Sequence, residues 1–214
     1  MPIKFIADTF QRPADEVTLF VSIIVCFLVC IPMPYIRNVA LRKIYSTVGG
    51  LLMSFFTFGI YTLVLIPYNM IGYLSMSLMP RFLAPYVVIL TTGSLLTAGN
   101  YYEMITEDTT FNVSILMMIT FCKQWMLAIN YRDGAGDIES WLNSREKARA
   151  LKNLPSLFDY VNYIFNLSSS VCGPCFEYKE WDEFINLKAN YSSMVPQSCI
   201  VPALNRFLHG LLFS

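Results

Sequence analysis

Histidine is almost missing from this sequence: position 209 holds the single one among 214 residues. That excludes a metal centre built on several imidazoles, and no paired Cys/His ligand set makes up for it. Charge is scarce as well. Asp, Glu, Lys and Arg make up 14% of the chain, against about 25% in an ordinary soluble domain. Fifteen basic and fifteen acidic residues cancel. No surplus of positive charge is left to neutralise phosphates, which excludes a basic nucleic-acid binder. Strand-type alternation, internal repeats and low-complexity tracts are also lacking.

Apolar residues fill the space that charge leaves. The chain is 55% hydrophobic and 15% aromatic, with a mean hydropathy of +0.49. It is too apolar for disorder, which needs low hydrophobicity and high net charge. It also carries more apolar surface than one soluble core of this length hides. The expected fold is all-α: a polytopic transmembrane helical bundle with about five or six membrane segments, some short or broken. Residues 1–214 read as a single membrane domain, with an N-terminal tail over 1–16 and a polar connector over 131–156.

Five apolar regions carry that reading. Val17 to Ile36 is free of charge and has about the 20 residues needed to cross a hydrocarbon core. It is expected to break at Pro32-Met33-Pro34, because an interior proline loses a backbone hydrogen bond. A second run, Tyr45 to Ile66, contains Gly49-Gly50 and is expected to close at Pro67. Its small glycines allow a neighbouring segment to come close. Tyr68 to Ala98 is interrupted by Pro80-Arg81. It reads either as one tilted span with a re-entrant piece or as two short spans meeting there. Phe111 to Asn130 carries Lys123 inside it, and Leu157 to Phe176 is a moderately apolar fifth region. A further apolar run starts at Phe207.

Basic residues set the expected orientation, since short cytoplasmic loops are enriched in Lys and Arg. Arg37, Arg42 and Lys43 mark one cytoplasmic loop. Arg132, Arg145, Lys147, Arg149 and Lys152 mark the connector as another. Glu103, Glu107 and Asp108 mark a lumenal loop. The three agree if Tyr68–Ala98 crosses twice, with Arg81 at the cytoplasmic turn.

Cys26, Cys30 and Cys122 lie in apolar runs, where cysteine behaves as a small hydrophobe. Cys172-Gly-Pro-Cys175 has the spacing of a thioredoxin-type redox motif, but no βαβ pattern surrounds it to lower a thiol pKa. Of the N-x-S signals at Asn112, Asn166 and Asn190, the first two sit at or inside membrane runs, which leaves Asn190 as the one candidate, on a side that the charge pattern does not assign.

Two clusters stand out from this background. The first runs from Lys123 to Gly134, KQWMLAINYRDG. A charge inside an apolar helix costs about 2.5–3.5 kcal/mol on insertion scales. Lys123 therefore either faces a cavity or a partner, or the helix starts after it, or its side chain snorkels to the interface. The second cluster combines Leu154-Pro-Ser-Leu-Phe-Asp-Tyr160 with Gly173-Pro174-Cys-Phe176-Glu177-Tyr178 and the tail Trp181-Asp-Glu-Phe184-Ile185. Taken alone, that tail reads equally as an interfacial aromatic belt running into a solvated acidic stretch.

In this order, the two clusters resemble the membrane-bound O-acyltransferases, in their lysophospholipid acyltransferase branch. Lys123, Ala128, Asn130, Asp133 and Gly134 match the first motif. Leu154, Pro155, Ser156, Leu157 and Tyr160 match a Pro-Ser-Leu-x-x-Tyr segment. Gly173, Pro174, Phe176, Glu177 and Tyr178 match a Gly-Pro-x-Phe-Glu-Tyr box. The resemblance implies the N-terminal part of that family's helical fold in the endoplasmic reticulum membrane. It implies acyl transfer from acyl-CoA, as co-substrate, to the hydroxyl of a lysophospholipid, with no bound cofactor and no metal. Partners on this reading are membrane lipids, lysophospholipid and acyl-CoA. Lys123, Asn130, Asp133, Gly134, Gly173, Pro174, Phe176, Glu177 and Tyr178 become candidates for the substrate chamber.

The same resemblance implies a catalytic histidine, preceded by an asparagine, well beyond the Gly-Pro box. His209-Gly210 copies the usual His-Gly pair but comes too early and has no matching Asn and Trp before it. The chain is therefore expected to be an N-terminal part of such an enzyme, inactive alone. A non-catalytic membrane scaffold and a transporter subunit are the alternatives, the latter disfavoured by the lack of repeated halves.

Overall fold

The computed structural model describes residues 14–106, 114–136, 142–171, 173, 175–188, 191–192, 201–202, 204–206 and 209. Every regular element among them is helical. The first, α1 (Ala14–Cys30), is followed by a 3₁₀ turn at Met33–Tyr35 that Pro32 and Pro34 enforce, as expected from the missing N–H groups. Asn38 then caps α2 (Val39–Phe58): its side-chain oxygen accepts from the Ala40 and Leu41 amides.

Pro67 does not close the second run. Gly59 takes a left-handed φ of 60°, and the backbone tightens into a 3₁₀ stretch over Gly59–Val64. Helix α3 (Leu65–Leu78) then restarts, with Pro67 in its first turn, where a missing N–H costs nothing. The punctuation falls at Gly59, eight residues before the proline. After the Pro80-Arg81 turn come α4 (Ala84–Val88), a π-helical turn (Ile89–Gly93) and α5 (Ser94–Thr106). Helices α3 and α4 pack on one another across that turn. Helix α6 (Ser114–Asp133) is the central element and packs on α3, α4 and α5.

The fifth apolar region does not form one continuous helix. After α7 (Ser144–Arg149), Ser156 caps helix α8 (Leu157–Ile164), which has only 8 residues, or about 12 Å at 1.5 Å per residue. Asn162, Asn166, Ser169 and Ser170 are buried beyond its middle. They bond to neighbouring segments instead of continuing a helix: Ser46 Oγ donates to Asn166 Oδ1 at 2.6 Å, and Ser54 Oγ donates to Ser170 O at 3.2 Å. A 3₁₀ turn at Leu167–Ser169 leads through the Gly173 segment to α9 (Tyr178–Ile185). Among the described residues, two helical stretches are long and apolar enough to cross a membrane, Val17–Tyr35 and Val39–Leu78.

The basic segments gather at one end of the bundle. Lys43 pairs with Asp159 at 2.7 Å, beside the start of α8. Arg81 donates to Lys152 O at 2.6 Å and lies over the Tyr131 ring. At the far end of α6, Ser114 Oγ donates to Glu103 Oε1. Tyr160 ties α8 to α3: its buried hydroxyl donates to Asn69 O at 2.9 Å. That carbonyl keeps its own helical partner. Tyr160→Phe is therefore expected to cost only about 1 kcal/mol, read by denaturant titration of the detergent-solubilised chain.

Candidate functional site

Helix α6 is buried on several sides, and its buried set includes Thr120, Lys123, Gln124, Leu127, Asn130 and Asp133. Spacings of three and four residues put these groups along a common stripe. Lys123 and Asn130 on this stripe meet the chain between α8 and α9, so the two clusters separated by the connector come together in space.

Lys123 is fully buried. Its ammonium donates to Tyr163 O at 3.1 Å, Ile164 O at 3.0 Å and Ser169 Oγ at 2.5 Å. Two of these acceptors are carbonyls of the last turn of α8, which lack helical partners. A cation there also suits the negative end of the helix. The rings of Phe176 and Tyr163 stand 5.2 and 5.4 Å from Nζ. Of the alternatives open from the sequence, Lys123 takes the partner: it holds the point where α8 breaks.

Two helical turns further on, Asn130 Nδ2 donates to Glu177 Oε2 at 2.5 Å. Arg149, from α7, donates to the other carboxylate oxygen at 2.7 Å. Glu177 is thus held from two sides, with its side chain 13% exposed. It also stands as the N-terminal residue before α9. The Tyr163 hydroxyl donates to Phe176 O at 2.7 Å. Tyr163, Phe176, Tyr178 and Trp181 form an edge-to-face aromatic cluster around this turn. Burial, reinforced by the charges of Asp159 and Asp182, raises the Tyr178 phenol above its ordinary pKa, so it stays a neutral donor.

Gly173 and Gly134 permit two close backbone approaches. A Cβ on Gly173 would lie 2.1 Å from Ser168 O, and one on Gly134 would lie 1.9 Å from Leu151 O. Leu151 N donates to Asn130 O at 2.8 Å, which docks the end of the connector on α6. Asp133 is engaged by the Arg132 guanidinium at 2.8 Å. Asp133, Gly134, Lys147, Lys152 and Lys179 line a cavity of about 190 Å³ at the basic end of the bundle. Lys123 and Glu177 are not among its lining residues.

Pro174 and Cys172 lie outside the described residues, as do Asn112 and Asn190. Cys175 is a free, exposed thiol. Asn166 is buried and accepts from Ser46, so the folded chain offers no acceptor amide there. His209 is exposed.

Sequence reasoning missed a neutral polar chain beside Lys123. Gln124 Nε2 donates to Asn69 Oδ1 at 2.6 Å, and Asn69 Nδ2 donates to Leu65 O. Gly72 makes room for it: a Cβ there would meet Gln124 Oε1 at 2.3 Å. The available signal was an amide inside each of two apolar runs, since polar side chains at membrane depth seek partners across helices.

No family model matches the chain. Curated relatives do. Membrane-bound glycerophospholipid O-acyltransferase 2 of Rattus norvegicus is 25% identical over 194 residues, covering 87% of this chain and 37% of that protein. Lysophospholipid acyltransferase 2 of Arabidopsis thaliana is 30% identical over 173 residues, covering 75% and 36%. Lysophospholipid acyltransferase 5 of Homo sapiens is 26% identical over 188 residues, covering 84% and 37%. The chain thus spans little more than a third of the length of these relatives. Their similarity runs far beyond the two clusters, and it makes this chain a relative of the membrane-bound O-acyltransferases that act on glycerophospholipids and lysophospholipids.

Proposed function

We propose that the chain builds one wall of the substrate chamber of an acyl-CoA-dependent lysophospholipid O-acyltransferase. On this reading it crosses the endoplasmic reticulum membrane several times, with the basic end of the bundle on the cytoplasmic side. The observation that carries the reading is the Asn130–Glu177–Arg149 junction, where the two motif clusters become one polar surface. Lys123 fixes the broken helix behind it. The reaction joins the lysophospholipid hydroxyl oxygen to the acyl carbon and breaks the thioester, so that coenzyme A leaves as its thiol. A base must take the hydroxyl proton as the oxygen attacks. Asn130 cannot accept a proton, and Glu177 is held by a guanidinium. His209 is exposed and is not among the residues joined at this junction. These residues therefore orient and enclose, and the base comes from outside the 214 residues.

Two measurements test this. Photoreactive oleoyl-CoA should label the chain in membranes, and unlabelled oleoyl-CoA or lysophosphatidylcholine should compete. Oleoyl transfer in membranes holding only these 214 residues should stay at background. Absence of labelling, or turnover that His209→Ala abolishes, overturns the reading.

A further inference from the structure

Where the connector docks on the last turn of α6, three lysines border one cavity. Lys147, Lys152 and Lys179 line this space of about 190 Å³, and Asp133 is the one carboxylate that does. That carboxylate is already neutralised: Arg132 donates to its Oδ1 through Nε at 3.0 Å and through Nη2 at 2.8 Å. Other acids nearby are held as well, Asp159 by Lys43 and Glu177 by Arg149. The three lysines take part in none of the ion pairs among the described residues. Like charges gathered without a counter-charge repel one another, so an anion between them is favoured.

The C-terminal end of α6 would oppose that anion if its carbonyls were free. They are engaged instead. Asn130 O accepts from Gly134 N and Leu151 N, Arg132 O accepts from Ala135 N, and Gly134 O accepts from Arg81 at 3.4 Å. Lys179 is fixed at the cavity wall, because its ammonium donates to Ala148 O at 2.6 Å, and two further N–H groups stay available. Lys147 and Lys152 are exposed, so no burial penalty falls on their charge. Compact ammonium groups of this kind bind phosphate as point charges. Three of them match a phosphate monoester or a diphosphate better than a singly charged carboxylate.

We propose that Lys147, Lys152 and Lys179 bind a multiply charged phosphate group, brought by coenzyme A or by the headgroup of an anionic lipid. The first source rests on the acyltransferase reading above, whereas the second needs only a membrane. The test is equilibrium binding to the purified chain in neutral detergent micelles. One comparison sets coenzyme A against pantetheine, which lacks the phosphates. The other sets dioleoyl phosphatidic acid against dioleoylglycerol, which differs by the phosphate alone. At least one phosphate-bearing ligand should bind about tenfold more tightly than its counterpart. Added salt should erode that preference, because exposed charges are screened beyond about 10 Å at 0.1 M. The comparison that responds names the source. Lys147→Gln combined with Lys152→Gln should remove most of the preference and leave the phosphate-free ligands unaffected. Both side chains are exposed, so this variant should fold. Lys188→Gln breaks a pair with Asp182 away from the cavity and should change nothing. No phosphate preference in either comparison, or one that the double variant retains, overturns the lysine site. Labelling of the unaltered chain by photoreactive oleoyl-CoA judges the acyltransferase reading separately: its absence overturns that reading even where phosphatidic acid still binds.

Discussion

Gly50→Ala is expected to destabilise the chain by about 3 kcal/mol or more, the upper range for overpacking a close contact. A Cβ there would lie 2.0 Å from Phe165 O and 3.1 Å from Leu167 N. Both are backbone atoms, so no side chain can rotate away. Helix α2 and the chain after α8 must separate, and hydrogen bonds cross the same seam: Ser46 Oγ donates to Asn166 Oδ1, and Ser54 Oγ donates to Ser170 O. Gly99→Ala supplies the control. It lies in α5 with nothing within 4 Å of the added Cβ, so removing a helical glycine there should be neutral or stabilising by about 0.5–1 kcal/mol. Denaturant titration of both variants in micelles measures the contrast. Equal stability of the two would show that the α2 seam is not closed.

Gly49-Gly50 and Lys123 were legible in the sequence because each violates its surroundings. A glycine pair inside an apolar run announces a close approach, and a lysine there announces a partner. What lay hidden was of two kinds. Asn69 and Gln124 carry no charge, so the run hydropathy averages them away, although they join α3 to α6. Arg42 does carry charge, but a basic residue after an apolar run is what the positive-inside bias supplies anyway. Only burial separates it from Lys43, which found Asp159. The apolar region Leu157–Phe176 misled for the opposite reason. Its tyrosines and leucines serve a packed interior around a short helix, and hydropathy alone does not distinguish that interior from a lipid-facing span. Pro67 misled because a proline's effect depends on its position in the helix, and Gly59 had already ended the previous one.

Lys123→Met is expected to cost about 3 kcal/mol, the net of two opposing effects. Methionine keeps the length of the side chain and spares the chain the burial of a cation. Against that, Tyr163 O, Ile164 O and Ser169 Oγ lose the donor they share. Each orphaned buried polar group costs about 1–3 kcal/mol. Three of them outweigh the relief, because the two carbonyls end a helix and lack other donors. Ser169 Oγ retains a bond to Asn166 O at 3.3 Å, so it contributes the least of the three. The lesion should then spread along the chain. The turn that Lys123 holds precedes Gly173 and sets the direction in which Glu177 reaches Asn130. Destabilisation and loss of oleoyl-CoA labelling should therefore appear together, with labelling recovering as temperature is lowered and the fold is restored. A Lys123→Met chain of unchanged stability that no longer takes the label would instead place the ammonium against the ligand and assign Lys123 to substrate binding.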